Sequence, residues 1–181
     1  MKLYEKKISS KQIFDGKIVK LFVDEVELPN GQIATREIVR HPGAVCVVPL
    51  TSEGEVVMVK QFRYPFERVL LEIPAGKLET GEDPLEAVKR ELEEESGAVA
   101  GKIDHLGEMY TTVAIFDEVI QIYLARDLKF TNAHPDEDEF LEITKIPLST
   151  LIDMVMKGEI RDAKTQIALL KAEKFIKQEI K

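Results

Sequence analysis

Residues 76–98, GKLETGEDPLEAVKRELEEESGA, restrict the fold more than any other stretch of the chain, because they specify a helix at both ends. Asp83 is placed to cap, Pro84 suits the first helical position because its missing N–H would be unpaired there anyway, and Gly97 supplies the stop. The spacing predicts a helix over residues 84–96. At about 100° per residue, Glu91, Glu94 and Glu95 (i, i+3 and i+4) fall within an arc of roughly 100°. Leu85, Val88 and Leu92 form an apolar arc beside them. Glu86, Lys89 and Glu93 point to the far side, where Glu86 can pair with Arg90 four residues on. Like charges at such spacings destabilise an isolated helix by a few tenths of a kcal/mol per pair, so a positive group is expected between the three carboxylates. A divalent cation meets that need; a solvated acidic face is the plain alternative.

The rest of the chain alternates between strand and helix patterns. Residues 17–28 (KIVKLFVDEVEL) and 33–41 (IATREIVRH) alternate polar and apolar residues around Pro-Asn-Gly, the pattern of a β-hairpin. AVCVVPL (44–50) and EVVMVKQF (55–62) read as strands around Ser-Glu-Gly, and VLLEIP (69–74) leads into the helical segment. IDHLGEMYTTV (103–113) and EVIQIYLARDL (118–128) read as further strands. Two helices close the chain: LSTLIDMVMKG, stopped by Gly158, and 163–179 after Asp162, with Ile167, Leu170, Lys174 and Ile180 as its stripe. Strands flank a helix and helices follow, so the class is α+β or a mixed α/β/α sandwich. Residues 1–41 separate as a β-rich N-terminal extension from a body of residues 42–181, with no internal repeat or Gly/Ser linker.

One pattern in the helical segment carries chemistry: Gly, five residues, Glu, seven residues, Arg-Glu, an apolar residue, any residue, Glu-Glu, any residue, Gly, an apolar residue. Gly76, Glu82, Arg90, Glu91, Leu92, Glu94, Glu95, Gly97 and Ala98 fill every position. The segment resembles the Nudix box. Its seven fixed identities would coincide by accident with a probability on the order of 10⁻⁸ per start position, although a Glu-rich chain raises that somewhat. LLEIPAG (70–76), QFRY (61–64) and DEDEF (136–140) also resemble the ADP-ribose pyrophosphatase branch of that family.

The resemblance implies a Nudix-like α/β/α sandwich with a mixed β-sheet. It also implies metal-dependent hydrolysis of a nucleoside diphosphate sugar, with water attacking a phosphorus to give a nucleoside monophosphate and a sugar phosphate. By the same resemblance Mg²⁺, with Mn²⁺ as a substitute, is held by Glu91, Glu94, Glu95 and the backbone carbonyl of Ala75. Arg90 corresponds to the arginine that orients a box glutamate, Glu94 also counts among the catalytic residues, and Glu82 steadies the loop before the helix. Glu137 and Glu139, in the charged loop AHPDEDEFLEI (133–143), are the two candidates for catalytic base. Arg63 and Glu72 match positions that contact phosphates and sugar in the relatives, and Arg36 resembles a contact to the nucleotide end. Each has a structural alternative, since an arginine or glutamate at a strand end commonly makes a surface ion pair and Pro-Ala-Gly commonly turns. The N-terminal extension implies a homodimer, because in relatives it crosses to a partner.

Charge agrees with a metal requirement. The chain carries a net charge of −8 and an isoelectric point near 5.1, so a cation must lie between it and an anionic pyrophosphate before chemistry can begin. The same balance argues against nucleic-acid and anionic-membrane partners. One departure bears on specificity: YTTVAIFDEV (110–119) lacks the proline of the Ser-Pro-Gly-like turn common before the Asp-Glu pair, which opens a wider substrate range that includes GDP-mannose. A clean-up hydrolase of nucleoside triphosphates or dinucleotide polyphosphates needs less chain than this. A nucleotide-sensing regulatory module has little need of a complete carboxylate set. Cys46 is the sole cysteine and sits in an apolar strand, which excludes an internal disulfide. His41, His105 and His134 have no ligand spacing. Without an apolar leader core or a membrane-length run, the expected location is the cytoplasm. If the acidic loop supplies the base, kcat falls in Glu137→Gln or Glu139→Gln; near-normal kcat in both would remove the loop from the mechanism.

Overall fold

The computed structural model describes residues 3–134 and 140–179. It divides into two compact units, Met1–Gly43 with Tyr110–Val119, and Ala44–Met109 with Ile120–Lys181.

In the first unit β1 (Lys6–Asp15), β2 (Lys20–Glu27) and β3 (Ile33–Arg40) form an antiparallel sheet in that order. The expected hairpin is β2–β3, closed where Glu27 faces Ile33, and Gly31 takes the positive φ of 83° that the turn requires. Strand β1 was not legible in the sequence. Its residues KKISSKQIFD are exposed throughout, so no apolar alternation marks them. What pairs them is the open backbone edge of β2, helped by Ser10 donating to the buried Asp24. Residues 110–119 are fastened to the end of β3. Val39 N donates to Ile115 O (2.8 Å), and both oxygens of Asp117 are taken, by His41 N (2.8 Å) and Arg40 Nη1 (3.0 Å).

The second unit is built on β4 (Ala44–Pro49), which is buried along its whole length because both faces of its sheet are covered. The elements that follow are β5 (Glu55–Arg63), β6 (Arg68–Glu72), β7 (Ala75–Lys77), α1 (Pro84–Ser96), β8 (Ala98–Tyr110), β9 (Val119–Phe130), β10 (Leu141–Pro147), α2 (Leu148–Met156) and α3 (Ala163–Glu179). One sheet runs β7-β4-β9-β8, with β4 parallel to β9 and antiparallel to β7; the other runs β10-β5-β6, antiparallel throughout. Val45 and Val47 pack with Ala87, Val88 and Leu92 of α1, while Cys46 and Val48 pack with Met58, Leu151, Ala168 and Leu169. Helices thus cover both faces of a mixed sheet, which is the expected α/β/α sandwich of the α+β class. Burial pushes the Cys46 thiol up to about 12, as suits a core residue.

Two helical faces differ from expectation. Leu85, expected in the apolar arc, is half-exposed, and Ala87 is buried in its place. On α3 the buried face is Thr165, Ala168, Leu169 and Ala172, while Ile167 and Leu170 of the expected stripe lie at the surface; Ile180 is outside the described residues. Small residues let the helix approach the sheet closely, which a search for large apolar side chains overlooks.

The buried Thr165 hydroxyl accepts from Ile73 N (3.1 Å) and donates to Asp162 Oδ2 (2.5 Å), joining α3 to the chain just beyond β6. Thr165→Val leaves Ile73 N–H buried without that acceptor. We expect a loss of about 1–3 kcal/mol of stability by urea unfolding.

Candidate functional site

Helix α1 fills the span expected from the sequence. Asp83 Oδ1 accepts from Leu85 N (2.9 Å) and Glu86 N (3.3 Å), Pro84 opens the helix, and Gly97 ends it at φ 66° with its N–H on Glu93 O (2.8 Å). These caps set the rotation of the helix, and Val88 and Leu92 fix it against β4. The carboxylates are thereby aimed at β7. Glu95 is buried and accepts from Ala75 N at 3.0 Å. The Glu91 carboxylate lies directly over Gly76, where a Cβ would meet it at 1.9 Å. The missing Cβ at Gly76 makes room for that carboxylate beside the backbone.

The positive charge demanded between the carboxylates comes in part from the chain itself. Arg90 Nη1 donates to Glu91 Oε1 (2.8 Å) and Glu94 Oε2 (3.0 Å), while its Nε and Nη2 hold both oxygens of Glu82 (3.0 and 3.1 Å). Arg90 is therefore not paired with Glu86, which bonds Lys89 instead at 2.7 Å. A half-buried guanidinium gains more from the Glu82–Glu91–Glu94 side than from one solvated glutamate. The Glu82 bond, and then Glu91 and Glu94, raise the Arg90 pKa well above the ordinary arginine value against the opposing effect of burial. Glu82 also accepts from Glu79 N (2.9 Å), which steadies the loop before the helix.

Among the described residues no group of three or more His, Cys, Asp or Glu side chains stands close enough together to hold a metal ion. The donor chemistry nevertheless fits a hard divalent cation. Glu91, Glu94 and Glu95 are oxygen donors on one helical turn, and two of them converge on the backbone at 75–76.

Beyond the box, Arg63 and Glu72 are brought together. Glu72, only 2% exposed, accepts from Arg63 Nε and Nη2 (both 2.7 Å) and from Lys164 Nζ. Burial pushes the Glu72 carboxyl up, but Arg63 and Lys164 outweigh it and the net shift is downward. Burial likewise lowers Lys164, yet Asp162 and Glu72 raise it overall. The Glu72 contribution to stability is thus present at neutral pH and lost as pH falls below the usual carboxylate range. That of Lys164 is lost only as pH rises above the usual lysine range. Arg36 lies in the first unit, exposed, and pairs with Glu5.

Glu137 and Glu139 lie outside the described residues. Their N-terminal flank is anchored to the end of α1: Thr131 N donates to Gly97 O (2.6 Å) and His134 N to Glu94 O (3.0 Å). Sequence reasoning missed Lys164 and Thr165. In the string Asp162-Ala163-Lys164-Thr165 only the Asp162 cap is legible, and Asp162 Oδ2 does accept from Thr165 N at 2.9 Å.

Comparison with known proteins shows the family to which the chain belongs. The NUDIX domain family matches residues 39–168, and the family described as the nucleoside diphosphate sugar hydrolase N-terminal domain matches residues 5–39. The chain is 47% identical to the ADP-ribose pyrophosphatase of Bacillus subtilis (strain 168), across 92% of this chain and 91% of that protein. It is 48% identical to a methanol dehydrogenase activator of Bacillus methanolicus, across 93% and 92%. A crystal structure of an ADP compounds hydrolase superposes with a TM-score of 0.87 at 22% identity, covering 97% of this chain and 95% of that one, which is a likeness of fold.

Gly76→Ala forces the Glu91 carboxylate away from its place, and the side chain can swing clear at little cost to folding. We expect a thermal midpoint close to wild type together with weaker divalent-cation binding, about 10–100-fold by calorimetry.

Proposed function

The chain belongs to the Nudix family of hydrolases, and on that premise we propose that it hydrolyses the pyrophosphate bond of ADP-ribose or a related nucleoside diphosphate sugar. The products are a nucleoside monophosphate and a sugar phosphate. The observation that carries this reading is the convergence of Glu91 and Glu95 of the box on the backbone at 75–76, with Arg63 in the same unit. Support for the substrate class comes from the match of residues 5–39 to the sugar-hydrolase N-terminal domain and from the Bacillus subtilis relative.

Nudix hydrolases generally require a divalent metal, and we assign that role here to Mg²⁺, with Mn²⁺ as a substitute, on Glu91, Glu94, Glu95 and the Ala75 carbonyl. The metal when bound supplies Lewis acidity and lowers the pKa of a coordinated water. The chain's own groups do the remaining work. Arg90 holds Glu91 and Glu94 on one side of the helix, and the Ala75 N–H orients Glu95. Arg63 meets a phosphate and Glu72 keeps that guanidinium oriented. Glu137 or Glu139 serves as base, a role supported by the anchoring of the preceding segment on Glu94 and Gly97. By the family resemblance we assign Arg36 a contact to the nucleotide end, and we expect a homodimer through the N-terminal extension. A reducing compartment, the cytoplasm, suits a chain whose sole cysteine is buried and free.

A second reading, regulation of another enzyme, draws support from the relative named as a dehydrogenase activator. The absent proline in residues 110–119 keeps GDP-mannose within the substrate range. One experiment separates these readings: turnover of ADP-ribose, GDP-mannose and nucleoside triphosphates with Mg²⁺ in ¹⁸O-labelled water, on wild type and Glu95→Gln. We expect wild type to prefer ADP-ribose, with label in one product only, and Glu95→Gln to lose at least about 10–100-fold in kcat. Unchanged turnover in the variant would refute the metal role, and no turnover in wild type would favour regulation.

A further inference from the structure

The ion network behind β6 has a member from the far end of the chain. Lys164 comes from the first turn of α3, is 13% exposed, and donates both to Glu72 Oε2 and to Asp162 Oδ2 (3.0 Å). The four charged groups balance: Glu72 and Asp162 are negative, Arg63 and Lys164 positive. Their environment is completed by Glu95 of α1, whose charge also acts on Arg63. Glu72 grips Arg63 by its Nε–Nη2 edge, so the Nη1 edge points away from the carboxylate, on a side chain 41% exposed.

We propose that Lys164 is a positioning residue for the substrate's diphosphate: by sharing the Glu72 carboxylate and neutralising Asp162, it holds the Arg63 guanidinium with its outer edge presented to a phosphate. The physical argument is a competition. Arg63 is attracted by Glu72 and, over a longer range, by Asp162 and Glu95. Lys164 adds a positive charge to the Thr165 N–H and hydroxyl that already bond Asp162, so the Asp162 charge is offset locally and Glu72 sets the angle of the fork. Without it, the buried Glu72 and the partly buried Asp162 both act on one guanidinium with no second cation between them, and the fork is drawn inward from the edge that a phosphate needs. Arginine geometry makes this costly, because bidentate recognition depends on the plane of the guanidinium as well as its charge.

The inference rests on the reading of Arg63 as a phosphate contact, and the test separates the two. Steady-state kinetics on ADP-ribose are measured for wild type, Lys164→Met, Lys164→Gln, Lys164→Arg, Arg63→Gln and the double variant Arg63→Gln/Lys164→Met, with thermal midpoints taken alongside. Arg63→Gln raising KM supports the phosphate contact by itself. Lys164→Met and Lys164→Gln are expected to raise KM about tenfold while kcat stays within about threefold, the signature of lost ground-state binding. Lys164→Arg recovers most of the loss. In the double variant the Lys164 change adds almost nothing to KM, because its effect passes through Arg63. Two results overturn the proposal: wild-type KM in the folded Lys164→Met or Lys164→Gln variant, or full additivity with Arg63→Gln. A wild-type KM for Arg63→Gln would instead sink the underlying reading of the phosphate contact.

Discussion

The site depends on the way α1 is clamped against the backbone at 75–76. Two contacts define the clamp, the Glu95 carboxylate on Ala75 N and the Glu91 carboxylate over the bare Cα of Gly76. Neither would survive a rotation of the helix by one residue, about 100°, so the caps at Asp83 and Gly97 and the buried Val88 and Leu92 determine where the carboxylates point as well as the fold. The same helix face that packs the core also fixes the direction in which the acids point.

Electrostatics explain why such a density of carboxylates is tolerated. Arg90 spans Glu82, Glu91 and Glu94, and behind β6 Arg63, Asp162 and Lys164 surround the buried Glu72 in a quartet of balanced charge. Buried ions stabilise only when each is paired and hydrogen-bonded, and both clusters meet that condition. They also fix the direction of the Arg63 and Arg90 guanidiniums.

Much of this arrangement was legible beforehand for physical reasons. Helix α1 carries its own start and stop, so its span was readable residue by residue. Strand β4 is a continuous apolar run because both faces are covered, and the β2–β3 hairpin is announced by Pro-Asn-Gly. Strand β1 and the short β7 were not readable. The first is held by backbone pairing and polar bonds at an exposed edge, and the second is three residues long and exists only because β4 lies beside it. The face of α3 was misread because, apart from Leu169, its buried residues are small or polar.

Local chemistry therefore settled which groups are present: three acids on one turn, an arginine in their midst, a glycine at 76 and a family pattern complete at every position. Tertiary structure alone decided their partners. Arg90 turned to Glu82, Glu91 and Glu94 in preference to Glu86, and Lys164 reached Glu72 from 92 positions along the chain. The reason is that spacing along a helix fixes direction to within a turn, whereas pairing between distant segments depends on which backbones pack together and on how much water they exclude.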